Sequence, residues 1–190
     1  MRDHENIIKI LDVYNASNKQ DLYIVFEYMP TDLHAVIRSN MILNEVHMQY
    51  ITYQILRALK YTHSARIIHR DLKPSNILMD QHCRIKLCDF GLSRFVDEIG
   101  DEKHLTDYVA TRWYRPPEVL LCSNTYTEGI DIWAVACILG EMMRCIPLLP
   151  GMKRTSFDFV WKILLLGSRH SFELHPQVPR LSTKLKRFLK

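Results

Sequence analysis

The sequence predicts an α+β fold, with short strands early in the chain and helices dominating the rest. The β-rich, nearly continuous apolar run "LYIVFEYM" at 22–29 is the first observation behind this. Helical patterns at 43–64 and 128–144 are the second. The third is a change of texture between those helices, where "RIIH", "NILM" and "RIKLC" read as short strands. One strand region followed mostly by helices is an α+β arrangement.

Each element follows from its residues. The run 22–29 reads as a buried strand, since so little polar character interrupts it. "PTDLHAVIRS" comes next, with Thr31 or Asp32 able to cap a short helix. A long helix is expected over 43–64, with Asn44 as its N-cap and Leu43 against Met48 as a hydrophobic staple. Its apolar positions cover most of the circumference, so it is expected deep inside a helical body. "DQHC" is expected to turn between "NILM" and "RIKLC". Residues 89–118 are polar and irregular, and a stretch of that length in a compact domain is usually functional. "EGIDIWAVACILGEMMR" at 128–144 reads as a second buried helix. Beyond Thr155 the pattern weakens, although "FDFVWKILLLG" still looks helical.

Composition narrows the class. At 190 residues, with 47% hydrophobic and 24% charged residues, the chain can bury one real core. The net charge is +4, but Arg180, Lys184, Lys186, Arg187 and Lys190 fall in a stretch without an acid. The body is therefore near neutral, and the basic character belongs to the last residues, where it reads as a solvated tail. The five cysteines are odd in number and make no CxxC pair. Free thiols in a reducing compartment are expected, and a zinc site has little support. "MRDHENIIKI" has no apolar core of a signal peptide. The segment Ile130 to Met143 carries Asp131 and Glu141 and is too short to span a bilayer. A soluble intracellular chain is expected, placed in the cytoplasm with the nucleus as a second compartment.

"IIHRDLKPSNILMD" at 67–80 packs polar and charged groups between two strand-like runs. Phosphoryl transfer needs a nucleophile held in line, divalent metal on the phosphates and positive charge on the developing oxyanions. Asp71 can accept a hydroxyl proton and orient the hydroxyl. Lys73 can sit over the transferring phosphate. Asn76 offers a neutral oxygen, and Asp89 in "CDFG" a carboxylate, to a hard cation such as Mg²⁺. A lone HxD or a lone DFG is usually structural. "HRDLKPSN", then "DFG", then "PPE" at 116–118 is the ordered catalytic set of a protein kinase.

On these residues the chain resembles eukaryotic protein kinases, and within them the extracellular-signal-regulated branch of the mitogen-activated kinases. The likeness runs from "HENIIKILDVY" to about "PLLPG", and "TDYVATRWYRPPEVLL" is its most specific segment. It implies a partial protein-kinase-like fold, mostly the helical large lobe with the hinge and a remnant of the small-lobe sheet. The implied divisions are 1–28 for the small-lobe remnant, 29–167 for a partial large lobe, and 168–190 for a basic tail. The resemblance implies ATP and Mg²⁺ as cofactors. The backbone at Glu27 and Met29 would bond adenine, with Phe26 as gatekeeper, Asp32 near the ribose and Leu78 as the floor. Thr106 and Tyr108 would be activating phosphorylation sites. Arg70 and Arg94 would pair with phosphorylated Thr106, and Arg112 and Arg115 with phosphorylated Tyr108. Thr111 would hydrogen-bond near Asp71 and Lys73. Asp131 would be satisfied by the backbone of the catalytic loop.

The implied activity is phosphorylation of Ser or Thr before Pro in protein substrates, under an upstream activating kinase. Leu43, His47 and Tyr50, with Gln81, His82 and Cys83, would line a groove for docking-motif peptides. Neither nucleic acid nor a membrane span is expected. The sequence also departs from the family pattern. No GxGxxG precedes the hinge, and no strand Lys or helix Glu lies upstream of it. Asp107 stands where the branch usually has Glu, Pro116 where Ala is usual, and Ala136 where Gly is usual. These departures leave two alternatives open: an inactive kinase-like interaction protein, or a fragment without function of its own.

Overall fold

The computed structural model describes residues 4–18, 20–39, 43–96, 112–120 and 127–150. Strands β1 (Ile10–Asn15) and β2 (Leu22–Phe26) form an antiparallel ribbon, with Ile10 opposite Phe26 and Asn15 opposite Leu22. A bulge between Ile10 and Asp12 shifts the register. Contrary to expectation, β2 ends at Phe26 and is exposed along its whole length. Among the described residues this ribbon has only two strands, so its apolar side chains find no layer to pack against.

The helices carry the core. Helix α1 (Leu33–Arg38) is capped by Asp32, whose Oδ1 accepts the Ala35 N–H at 2.9 Å. Helix α2 (Glu45–Ser64) begins as expected at Asn44, which accepts the His47 N–H at 3.0 Å, while His47 Nδ1 accepts back from the Asn44 N–H. Helix α3 (Pro117–Leu120) is a single turn, and α4 (Gly129–Arg144) is the second long buried helix. Ile51, Ile55 and Leu59 of α2 share one apolar cluster with Ala134 and Ile138 of α4. Each fully buried Ile or Leu of this kind contributes about 1.5–3 kcal/mol. The all-round burial expected of α2 is not what forms. Val46, Tyr50 and Tyr53 are exposed, and Tyr53 instead lies under the Arg57 guanidinium. A tyrosine at the surface keeps its hydroxyl in water while its ring covers a neighbour.

Short strands fill the space between the helices. Strands β3 (Thr31–Asp32), β5 (Ile77–Met79) and β6 (Ile85–Leu87) make one antiparallel sheet in the order β3-β5-β6. Strand β4 (Ile67–Ile68) pairs with β7 (Arg94–Phe95) in another. The turn between β5 and β6 closes on Asp80, whose Oδ1 accepts from His82 and Arg84 N–H groups at 2.8 and 3.0 Å. The 89–118 stretch is less irregular than expected. It contains β7, the 3-10 turns Phe90–Leu92 and Arg112–Tyr114, and the start of α3, while 97–111 lie outside the described residues.

A buried glutamine joins these parts. Gln54 Oε1 accepts from Asn6 Nδ2 and from the Ile85 N–H, each at 3.0 Å. Its Nε2 donates to the Cys83 carbonyl at 2.8 Å and to the Tyr50 carbonyl at 3.3 Å. All four bonding positions of the amide are thus used, as burial demands. No helix among the described residues is long and apolar enough to cross a membrane.

Candidate active site

The site is built on the loop between β4 and β5. Arg70 sits at φ 68°, a left-handed conformation that an L side chain adopts only at some cost. Two bonds hold it there. Asp131 of α4, wholly buried, accepts the His69 N–H through Oδ2 at 2.9 Å and the Arg70 N–H through Oδ1 at 3.0 Å. His63 of α2 adds a contact to the same Oδ2 at 2.8 Å. The expected pairing of Asp131 with this backbone is therefore present. His63 was missed, because nothing in a helix-terminal histidine says which neighbour it faces.

His69 then ties this loop to the "DFG" segment. Its Nδ1 accepts the Asp71 N–H at 3.3 Å, so the ring proton sits on Nε2, which donates to the Cys88 carbonyl at 3.0 Å. The ring also packs on Phe90, with centroids 4.7 Å apart. Asn76 donates through Nδ2 to the Asp71 carbonyl at 2.9 Å and to Asp71 Oδ2 at 3.3 Å. That use of the nitrogen leaves the Asn76 side-chain oxygen as the atom suited to a cation. Lys73 Nζ lies 2.6 Å from Asp71 Oδ2.

Asp89 is exposed and left-handed, at φ 62°. A Cβ at Gly91 would come within 3.3 Å of Asp89 Oδ1, so the glycine gives the carboxylate room. Burial pushes the Cys88 thiol up to about 11, helped by the negative charges of Asp89 and Asp32 and opposed by Lys73. The thiol therefore stays protonated. Hard oxygens at Asn76 and Asp89 are the donor chemistry that suits Mg²⁺.

The strip expected to meet a base lies beside this cluster. Leu78 is half-buried on β5 while its neighbours Ile77 and Met79 are buried, so it faces away from the core. Its strand partners are Asp32 and Lys86. The Glu27 N–H already donates to the Lys9 carbonyl at 3.0 Å, which leaves the Glu27 carbonyl for any ligand. Asp32 spends one carboxylate oxygen on its helix cap. Met29 is half-buried, and Phe26 is exposed.

Arg70 and Arg115 line one small cavity together with Asp71 and Tyr114. Arg94 donates to the Ser93 carbonyl at 2.8 Å, and Arg112 opens the 3-10 turn that ends at Tyr114. Thr106, Tyr108 and Thr111 lie outside the described residues. A second missed pair anchors this region: Tyr114 donates to Glu141 Oε2 at 2.6 Å. Burial first, and then the carboxylate, hold the phenol well above its usual value, so it stays a donor. The rule that drew attention to Asp131, an acid in an apolar helix, would also have flagged Glu141. Among the docking candidates, Leu43 packs on the core, His47 is spent on its capping box, and Gln54 ties the helix at Tyr50 to the turn at Cys83. Gln81 and His82 side chains touch at 3.3 Å.

Residues 1–190 match the family described as protein kinase domain. The chain is 57% identical to mitogen-activated protein kinase 15 of Xenopus laevis over 152 residues, covering 78% of this chain and 26% of that protein. It is 56% identical to mitogen-activated protein kinase 15 of Mus musculus over 151 residues, again 78% of this chain and 28% of that protein. Extracellular signal-regulated kinase 2 of Dictyostelium discoideum is 53% identical over 155 residues, 80% of this chain and 42% of its own length. The chain thus spans less than half the length of each of these relatives.

Proposed function

Since the chain belongs to the protein kinase domain family, we propose that it carries the catalytic loop of an ATP-dependent serine/threonine kinase of the mitogen-activated type, acting on hydroxyls that precede proline. The observation that carries this reading is the cluster of Asp71, Lys73 and Asn76, joined to the Asp89 segment through His69. Mg-ATP supplies the activated phosphoryl group. Asp71 accepts the proton of the attacking hydroxyl and orients its oxygen. Lys73, now paired with Asp71, balances negative charge as it grows on the transferred group. Asn76 and Asp89 would hold the metal, Leu78 would support the base, and the Glu27 carbonyl with Met29 and Asp32 would orient the nucleoside. By the family resemblance, Thr111 would steady Asp71 and Lys73.

Activation belongs to the same proposal. Phosphates on Thr106 and Tyr108, placed by an upstream kinase, would each add about −1.5 to −2 charge and be gripped by Arg70, Arg94, Arg112 and Arg115. Partner peptides would dock along Leu43, His47 and Tyr50 beside the Gln81–Cys83 turn. The second reading is a kinase-like interaction protein, which would keep the helical body and its docking face without turnover.

A peptide assay separates the two. With a Gly-rich loop and strand Lys of the family fused ahead of it, the chain is expected to phosphorylate a Ser-Pro peptide. Asp71→Asn or Asp89→Asn should lower that rate by about a hundredfold or more. Thr106→Ala with Tyr108→Phe should hold it at its basal level after treatment with an activating kinase. A fused chain without turnover would favour the interaction protein.

A further inference from the structure

One carboxylate oxygen draws together three separate segments. Glu27 Oε1 accepts the backbone N–H of Lys9 at 2.8 Å and lies 2.8 Å from Lys86 Nζ. In return the Glu27 N–H donates to the Lys9 carbonyl at 3.0 Å. Residues 9 and 27 therefore exchange two bonds just beyond the Ile10–Phe26 pair, with a side-chain oxygen standing in for a ladder carbonyl. Lys86 comes from β6, where it faces Leu78 across the strands. Cross-strand partners share a face of the sheet, so the ammonium rises from the same surface as Leu78.

The pair is sheltered enough to matter. The two side chains are 27% and 22% exposed, and the oxygen is held by a fixed backbone donor as well as by the ammonium. A surface pair between two free side chains would contribute little. Here one end is already ordered, and the bond is charge-assisted. The next residues along the chain, Tyr28 and Met29, continue directly from this anchor.

We propose that the Glu27 carboxylate and the Lys86 ammonium are positioning groups that fix the Glu27–Met29 backbone over the β5–β6 platform, so that affinity for an adenine base depends on two side chains that do not touch it. This rests on the reading above that the Glu27–Met29 strip meets the base. Breaking the pair frees the strip to drift from Leu78 while the helical body stays intact. The base then loses its backbone contacts, and the metal site at Asn76 and Asp89 does not.

The test uses the 190-residue chain, with Glu27→Gln, Lys86→Met and Lys86→Arg. Amide hydrogen exchange is followed at Lys9, Tyr28 and Met29 without ligand, and adenosine and Mg-ADP binding are titrated by nuclear magnetic resonance. Lys86→Met should speed exchange at Lys9 and Met29 and weaken adenosine about ten-fold, the scale of one charge-assisted bond. The circular dichroism spectrum should not change. Lys86→Arg should restore both readouts. Unchanged exchange at Lys9 in both Glu27→Gln and Lys86→Met would overturn the clamp. So would adenosine affinity equal to the parent's despite faster exchange. If the parent binds neither ligand, the base-binding reading fails for this chain, and faster exchange alone then supports the clamp.

Discussion

Asp131 shows how one residue can fix a loop. It is wholly buried in α4, yet its two oxygens receive the His69 and Arg70 N–H groups and the His63 ring. Those bonds keep Arg70 left-handed, and Asp71 follows it directly. Asp131→Asn turns one acceptor into a donor facing donors. We expect a loss of about 3 kcal/mol in urea unfolding, with faster amide exchange at His69 and Arg70. Glu27 gives a second residue-scale prediction, in pH. Burial pushes its carboxyl up, but the Lys86 and Lys9 hydrogen bonds and charges outweigh this and hold it below the usual range. A depressed carboxyl stabilises the fold fully above its unfolded value, about 4.3, and that contribution is lost as pH falls through the folded value. The urea midpoints of the parent and Glu27→Gln should therefore differ near pH 6 and converge as pH approaches 3. A constant gap across that range would show that the carboxylate charge is not the cause.

At the scale of elements, legibility followed how much of the signal is local. Helix α2 was readable because its cap, its length and its apolar spacing all lie within one continuous stretch. Asn44→Ala should remove the side-chain half of its capping box, the bond accepted from the His47 N–H, and cost about 1 kcal/mol, read as a lower thermal midpoint. The cap of α1 was readable as a choice between Thr31 and Asp32, which only geometry resolves in favour of Asp32. Strand β7 was not readable. It is two residues long, and its identity depends on meeting β4, far away in sequence. The candidate site divides in the same way. Asp71, Lys73, Asn76 and Asp89 stand in a dense local motif, whereas the links made by His63, His69 and Glu141 depend on which helix packs on which loop. Exposure of β2 was misjudged for a related reason: an apolar run states a need for cover but does not supply the covering layer.

Taken together, the described residues combine a well-packed helical body with an apolar ribbon that stands largely in solvent. The body shares one continuous core between α2, α4 and the β5–β6 hairpin. The ribbon joins it through the Ile8 N–H to the Leu87 carbonyl and the Leu87 N–H to the Asn6 carbonyl, each at 2.9 Å, and through Lys86 to Glu27. Apolar side chains on both ribbon strands are about half exposed, which for a paired strand is an invitation to further pairing or association. Val13 and Ile24 face each other across the strands, 49% and 43% exposed. Replacing both with Thr keeps a β-branched pair, and so the strand preference, while removing two apolar contributions to the patch. Away from the core this should change the unfolding free energy, read from the urea midpoint, by less than about 0.5 kcal/mol. It should also lower the fluorescence of a hydrophobic dye and delay light scattering as the chain is concentrated. Dye binding equal to the parent's, with a falling urea midpoint, would show instead that these side chains are covered in solution and belong to the core.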